Sequence, residues 1–283
     1  MKVLITGARG QLGMALLASV PDGLTAIPCD RQNLDLGDGH AIRQFVQTES
    51  PDLIINAAAY TAVDLAETHP DEACRINSIA PGILAEASRR AGASMVHIST
   101  DFVFDGLRST PYKPDDARNP LSVYGETKAG GEDAVVDHAA ILRTSWVYSL
   151  DGANFVNTML QLMSSRDELK VVADQIGAPT YSPNLADVIW RLALRRGRGI
   201  WHYSDAGAAS WYDFAVAIQE EALTVGRLTR EIPIYPITTD EFPTAAKRPR
   251  YSLLDSNETR ATLDVPAVHW RKNLRRMMRD SRM

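Results

Sequence analysis

The stretch Val3-Leu4-Ile5-Thr6-Gly7-Ala8-Arg9-Gly10-Gln11-Leu12-Gly13 decides the fold. A short β-branched and apolar run leads directly into glycines spaced three apart, and a helical pattern, Gln11 to Val20, follows. In such a strand-turn-helix unit one glycine permits the tight turn, the next lets a pyrophosphate approach the backbone, and the third lets helix and strand pack closely. The helix N-terminus adds free N–H donors and the positive end of its dipole. Gly7, Gly10, Gln11, Leu12 and Gly13 are therefore the expected seat of a dinucleotide. A glycine pattern alone is a weak signal; the strand before it, the helix behind it and an acidic residue, Asp30, closing the second apolar run make it specific.

Working outward, Leu24 to Pro28, Asp52 to Asn56, Met95 to Ser99 and Ala140 to Arg143 read as further strands, with helical spacing at Gly39 to Glu49, Pro70 to Ala91 and Tyr124 to Asp137. Nearly continuous apolar strands alternating with helices imply right-handed βαβ units and a parallel sheet covered on both faces. The fold class is α/β, a doubly wound Rossmann domain over residues 1–145. After about Trp146, helical stretches at Phe155 to Ser164, Leu185 to Arg195 and Trp211 to Val225 alternate with Gly- and Pro-containing loops. They predict a smaller, mainly helical substrate lobe over 146–283, interleaved with segments near 175–200 and 237–253 that complete the first domain. Trp201 and Trp211 are expected in the core of that lobe. Trp270 to Met283 sets Arg271, Lys272, Arg275, Arg276, Arg279 and Arg282 against Trp270, Leu274, Met277 and Met278, the pattern of an amphipathic terminal helix.

Composition narrows the function. The chain has 283 residues, 45% of them hydrophobic, and a net charge of −5, which excludes disordered and collagenous classes and leaves no electrostatic footprint for nucleic acid. No apolar run approaches the roughly 18 residues of a membrane span, and Met1-Lys2-Val3 opens straight into a strand without a leader pattern. Cys29 and Cys74 cannot form a disulfide framework. A cytoplasmic protein is expected. The six histidines, His40, His69, His97, His138, His202 and His269, show no ligand spacing, so no metal site is expected.

Tyr124-Gly125-Glu126-Thr127-Lys128 places a phenol and an ammonium one helical turn apart on the same face. A free phenol has a pKa near 10, so acid-base work at neutral pH calls for a nearby fixed cation, which Lys128 supplies. His97-Ile98-Ser99-Thr100-Asp101 ends the fourth strand on a hydroxyl, where ligands collect in open α/β sheets. Asp30 suits an adenosine ribose, while Arg31 and Arg9 suit a 2′-phosphate, so NAD and NADP both remain open. Asp35-Leu36 follows toward the adenine, and Asn56-Ala57-Ala58-Ala59-Tyr60-Thr61 offers small residues as a wall against a flat cofactor, with Ala57, Ala59, Tyr60 and Thr61 as the expected contacts. Asp64 and Glu67 read as helix N-terminal acids, and Arg248 as either surface charge or a phosphate ligand.

With these residues in order, the chain resembles the extended short-chain dehydrogenase/reductase family. The matching runs extend from Gly7 to Asp255 and include Asn56 to Asp64, Ser99-Thr100-Asp101-Phe102-Val103-Phe104-Asp105-Gly106, Arg143-Thr144-Ser145-Trp146-Val147-Tyr148 and Asp174 to Thr180. The resemblance implies hydride transfer from NADPH or NADH, with NADPH slightly favoured, to the C4 carbonyl of a dTDP-linked 4-keto-6-deoxyhexose. Tyr124 would protonate the carbonyl oxygen, Lys128 would hold the nicotinamide ribose and lower the Tyr124 pKa, and Thr100 would orient the carbonyl. Thr100, Asp101, Trp146 and Arg248 would meet the substrate. Some relatives bridge two subunits through magnesium; here Met14-Ala15-Leu16 and Tyr181-Ser182-Pro183 stand where acidic ligands are needed, and a hard cation needs oxygen donors. The expectation is a monomer or a metal-independent homodimer, with no nucleic acid or membrane partner. The alternatives are a non-catalytic NADP-binding regulatory subunit of the same fold and a sugar-nucleotide epimerase or dehydratase.

Overall fold

Val3, Leu4 and Ile5, each without exposed surface, run through the interior of a six-stranded parallel sheet in a computed structural model that describes residues 1–280. Its strands are β1 (Lys2–Thr6), β2 (Thr25–Cys29), β3 (Leu53–Asn56), β4 (Ser94–Thr100), β5 (Ala140–Thr144) and the later strand Gly199–His202. The spatial order is Gly199–His202, β5, β4, β3, β1, β2. The order reverses between β1 and β3, and in open α/β sheets ligands bind outside the strand carboxyl ends at such a switch.

Alternate side chains of each strand feed two apolar layers. Leu12 and Leu16 of the helix Gln11–Ala18, with Leu185, Ile189 and Leu192 of the helix Ser182–Leu194, cover one face, over Val3, Ile5, Leu53, Ile55 and Leu142. Ile42, Val46, Leu84 and Val135 cover the other, over Leu4, Ile54, Met95 and Ile141. A separate cluster around Tyr148, Val156, Met159, Phe214, Ile218 and Trp270 forms the smaller lobe. Its helix Trp270–Asp280 buries Trp270, Leu274, Met277 and Met278 as its spacing predicts, while Arg271 and Arg275 pair with Glu221; Arg282 lies outside the described residues.

Three features differ from the sequence reading. Pro70 to Ala91 is interrupted by a π turn, Arg75–Ile79, between Pro70–Cys74 and Ala80–Ala91. Ile234–Ile237 pairs with Leu169–Val172 rather than with the main sheet, and the chain then returns past Ile176 and Tyr112 through single bridges at Tyr251 and Leu254. Trp201 sits on the edge strand of the main sheet, against the first apolar layer and not in the smaller lobe, because Gly199–His202 registers with β5.

The helix Val123–Val135 is held against the sheet by a buried carboxylate. Glu132, 1% exposed, accepts from Arg143 Nε and Nη2 at 2.8 Å each, from Arg118 Nη1 at 3.0 Å and from Ser99 Oγ at 2.5 Å. Arg143 reaches on to the Pro114 carbonyl and His202 Nε2. Burial first, and then Arg143, pushes His202 down to about 3, so this imidazole is neutral. Removing one partner of such a buried pair typically costs about 3–5 kcal/mol. Glu132→Ala should therefore lose stability on that scale, read as a fall in the urea midpoint with an unchanged slope; an unmoved midpoint would mean that the cluster does not brace the fold.

Candidate active site

The carboxyl ends of β1, β3, β4 and β5 open into a single cavity of about 1320 Å³. Every residue expected from the sequence to touch cofactor or substrate lines it except Tyr60. Tyr60 is held differently: its amide donates to Asn77 Oδ1 at 2.8 Å and its carbonyl accepts from Asn77 Nδ2 at 3.1 Å. Its ring packs with Ala66, Ala73 and Tyr124. Asn77 belongs to the π turn, which apolar periodicity does not reveal. The same turn brings Arg75 and Ile76 to the cavity wall, and neither was legible in the sequence.

The glycine turn fits a pyrophosphate. Gly7 takes φ +69°, and a Cβ there would lie 2.9 Å from the Ala57 carbonyl and the Ala58 backbone. A Cβ on Gly13 would meet the Gly7 carbonyl at 2.1 Å, so β1 and its helix approach as closely as two backbones can. Gly10 is the helix N-cap, in extended conformation without a side-chain cap, and a Cβ there would touch only the Gly7 carbonyl, at 3.2 Å. The first-turn amides are thus left for an anion. At the adenosine end Arg9 Nε stands 2.6 Å from Asp30 Oδ2, and Arg9 Nη2 donates to Gln32 Oε1. Arg9 offsets the acid that would repel a 2′-phosphate, with Arg31 exposed beside it.

Thr100 ends β4 and caps the turn Asp101–Val103 by accepting from Phe102 N at 3.2 Å. Ser122 and Glu67 cap the helix Val123–Val135, accepting from Gly125 N and Val123 N. A Cβ at Gly125 would lie 2.3 Å from the Phe102 carbonyl, and Tyr124 and Thr100 both line the cavity. Burial pushes the Tyr124 phenol up to about 12, with the Asp101 charge adding to the rise and Thr100 opposing it. Lys128 Nζ donates to the Ile98 carbonyl at 2.6 Å, and burial pushes it down to about 8, with Glu132 acting in the opposite direction. The implied lowering of the Tyr124 pKa by Lys128 is thus not what this arrangement produces: the ammonium is turned to a strand carbonyl. The result suits a proton donor, since the phenol stays protonated at neutral pH. Burial also pushes Asp101 up to about 6, with the hydroxyls of Ser252 and Thr100 pulling the other way.

Two further side chains do more than the sequence reading gives them. Trp211 packs against the apolar cluster of the smaller lobe and also lines the cavity, stacked on Trp146. Asp64 is more than a helix-dipole acid, since it receives Arg248 Nη2 at 2.7 Å and Ala246 N at 3.1 Å. The Arg248 hydrogen bond is the main cause holding its carboxyl below the usual range. Met14 lines the cavity beside the turn, and among the described residues no three His, Cys, Asp or Glu side chains gather as a metal-binding group.

A doubly wound sheet with a glycine turn at its switch point, and a Thr, Tyr and Lys centre at the strand ends, defines a dinucleotide-dependent oxidoreductase of the short-chain dehydrogenase/reductase class. The model of the RmlD substrate binding domain family matches residues 1–283, and the chain belongs to that family. It is 40% identical over 285 residues to dTDP-4-dehydrorhamnose reductase of Aggregatibacter actinomycetemcomitans, covering 97% of each chain. It is also 40% identical over 283 residues to the spore coat polysaccharide biosynthesis protein SpsK of Bacillus subtilis (strain 168), covering 99% of this chain and 97% of that one. Among solved structures, dTDP-4-dehydrorhamnose reductase from Bacillus anthracis str. Ames in complex with NADP superposes with a TM-score of 0.93 at 38% identity, covering 99% of both chains.

The burial of Lys128 sets a pH dependence. The ammonium is the form below about 8 and is lost as pH rises through that value. Since kcat/KM reports the free enzyme, its alkaline limb is expected near pH 8 rather than at the ordinary lysine value. A profile still flat two units higher would show that the charge is not needed.

Proposed function

We propose that the chain reduces the C4 carbonyl of dTDP-4-dehydro-L-rhamnose with hydride from NADPH or NADH, giving dTDP-L-rhamnose. The observation that carries this is that Tyr124, Lys128 and Thr100 line one cavity with the glycine turn, in a chain that aligns end to end with reductases of this name. When bound, the reduced nicotinamide supplies the hydride. Thr100 donates a hydrogen bond that sets the carbonyl angle, Tyr124 delivers its proton to the carbonyl oxygen as that oxygen gains charge, and solvent returns the proton. Lys128 would hold the nicotinamide ribose. Asp101, Trp146 and Arg248 meet the sugar nucleotide. Arg9 and Arg31 favour NADPH.

On this reading residues 1–145, completed by segments near 175–200 and 237–253, form the dinucleotide-binding domain and 146–283 the interleaved substrate lobe, in a monomer or metal-independent homodimer working in the cytoplasm, an environment that suits the free thiols Cys29 and Cys74. No helix among the described residues is long and apolar enough to cross a membrane. Net oxidation of NADPH by the 4-keto sugar separates this activity from an epimerase, which returns its hydride, and from a regulatory subunit, which has no turnover.

Tyr124→Phe keeps the ring, and with it the edge-to-face contact with Phe102 at 5.6 Å, while removing the proton. General acid catalysis contributes about 10²- to 10⁴-fold, so kcat should fall on that scale with the fold and dinucleotide affinity intact. A variant as fast as the parent would refute the assignment. Because Met14-Ala15-Leu16 and Tyr181-Ser182-Pro183 offer no carboxylate, chelation should leave the rate unchanged; loss restored by magnesium would overturn metal independence.

A further inference from the structure

Trp146 has φ +46°, a left-handed conformation that bulky side chains rarely adopt and that persists only where the surroundings enforce it. The enforcement is visible. Ser145 Oγ donates to the Ala178 carbonyl at 2.7 Å, and the Trp146 carbonyl accepts from Thr180 N at 3.1 Å, so the backbone is pinned on both sides. The indole is pinned by two residues delivered together. The short antiparallel ladder pairing Ile176–Gly177 with Ala209–Ser210 sets Gly177 opposite Ala209, with Trp211 next in the chain. Trp211 stacks on Trp146 with ring centroids 3.6 Å apart and planes 9° from parallel. Gly177 lies under the indole edge so closely that a Cβ would stand 2.7 Å from the ring.

Trp211 is itself oriented. Its Nε1 donates to Gln175 Oε1 at 3.2 Å, Gln175 Nε2 donates to Thr239 Oγ1 at 3.1 Å, and Thr239 donates through both its amide and its hydroxyl to Asp174 Oδ1. Phe155 packs beside it at 4.6 Å. A chain of polar contacts in the smaller lobe therefore ends on one indole, and that indole covers a face of the other. Both line the cavity.

We propose that Trp211 is a positioning residue for sugar recognition: together with Gly177 it holds Trp146 in its left-handed conformation and leaves only the remaining surface of the Trp146 indole to meet the hexose ring of the nucleotide sugar. This rests on the reductase reading for the identity of the sugar. Polarisable ring faces suit the C–H faces of a deoxyhexose, and fixing the indole beforehand lowers the ordering cost of binding.

Two closely stacked indoles give an exciton-coupled circular dichroism band, which reports the pair directly. Trp211→Ala should abolish the band and raise KM for the 4-keto sugar about tenfold, the upper end of what an aromatic pair supplies. KM should rise by more than kcat falls, with NADPH affinity unchanged; Trp211→Phe should recover most of the loss. Gly177→Ala tests the same geometry with Trp211 in place, and should shift the band and raise KM similarly. KM at the parent value in both variants, with the band lost in Trp211→Ala and shifted in Gly177→Ala, would overturn the proposal. The reductase reading is judged separately by the parent: a parent that oxidises no NADPH, yet whose band responds to the sugar, keeps the role of Trp211 and removes the reductase reading. A parent silent in both measurements removes both.

Discussion

The carboxylate of Glu132 is the fixed point around which Thr100, Tyr124 and Lys128 are arranged. It lies one helical turn beyond Lys128, receives the hydroxyl of Ser99, the residue before Thr100, and receives the guanidinium of Arg143, three residues before Trp146. Desolvating such charges costs several kcal/mol each, offset only where the geometry is good and the remaining donors and acceptors are met. The cluster is therefore better understood as a constraint on register than as a source of net stability. Sliding the helix Val123–Val135 along the sheet would part Glu132 from Ser99 on β4 and leave the buried charges of Glu132 and of Arg143 on β5 unpaired, so the spacing between Thr100 and Tyr124 is held one to two turns further along the same helix.

The opposite end of the same helix is held by a different part of the chain. Glu67 receives Val123 N, while Asp64, three residues earlier, receives Arg248. One short segment after β3 thus touches both the start of the helix Val123–Val135 and the loop that returns from the smaller lobe. The groups assigned to proton transfer and those assigned to sugar nucleotide binding are joined through side chains that do neither.

How much of this was legible in the sequence depends on whether a residue acts through local pattern or through contact. The sheet strands through residue 145 and the glycine turn follow from runs such as Val3 to Thr6, because burial on both faces and a tight turn impose their own spacing. Tyr124 and Lys128 were readable for the same reason, since one helical turn is a sequence interval. The direction of the Lys128 ammonium was not, because it depends on the Ile98 carbonyl 30 residues away. The cavity-facing part of Trp211 was not readable, because a tryptophan opening an amphipathic helix carries the same signal whether or not one of its faces also meets a cavity. The pairing of Asp64 with Arg248 spans 184 residues, and nothing in either neighbourhood announces it. The two-residue ladders of the smaller lobe escape periodicity altogether, being shorter than any window that could detect them.

The π turn at Arg75–Ile79 has an implication for how this chain can change length. A π turn adds one residue to an otherwise regular helix, and regular helix advances by about 100° per residue. Deleting a single position between Pro70 and Ala91 would restore an ordinary helix while rotating its two halves relative to each other. Arg75 would swing from the adenosine end of the cavity, and Asn77 would lose Tyr60 and Thr127 together. A frame-preserving deletion that improves local helical regularity would thus dismantle the wall against which the helix Val123–Val135 rests. In this stretch the irregular backbone, rather than any one side chain, is what the site cannot give up.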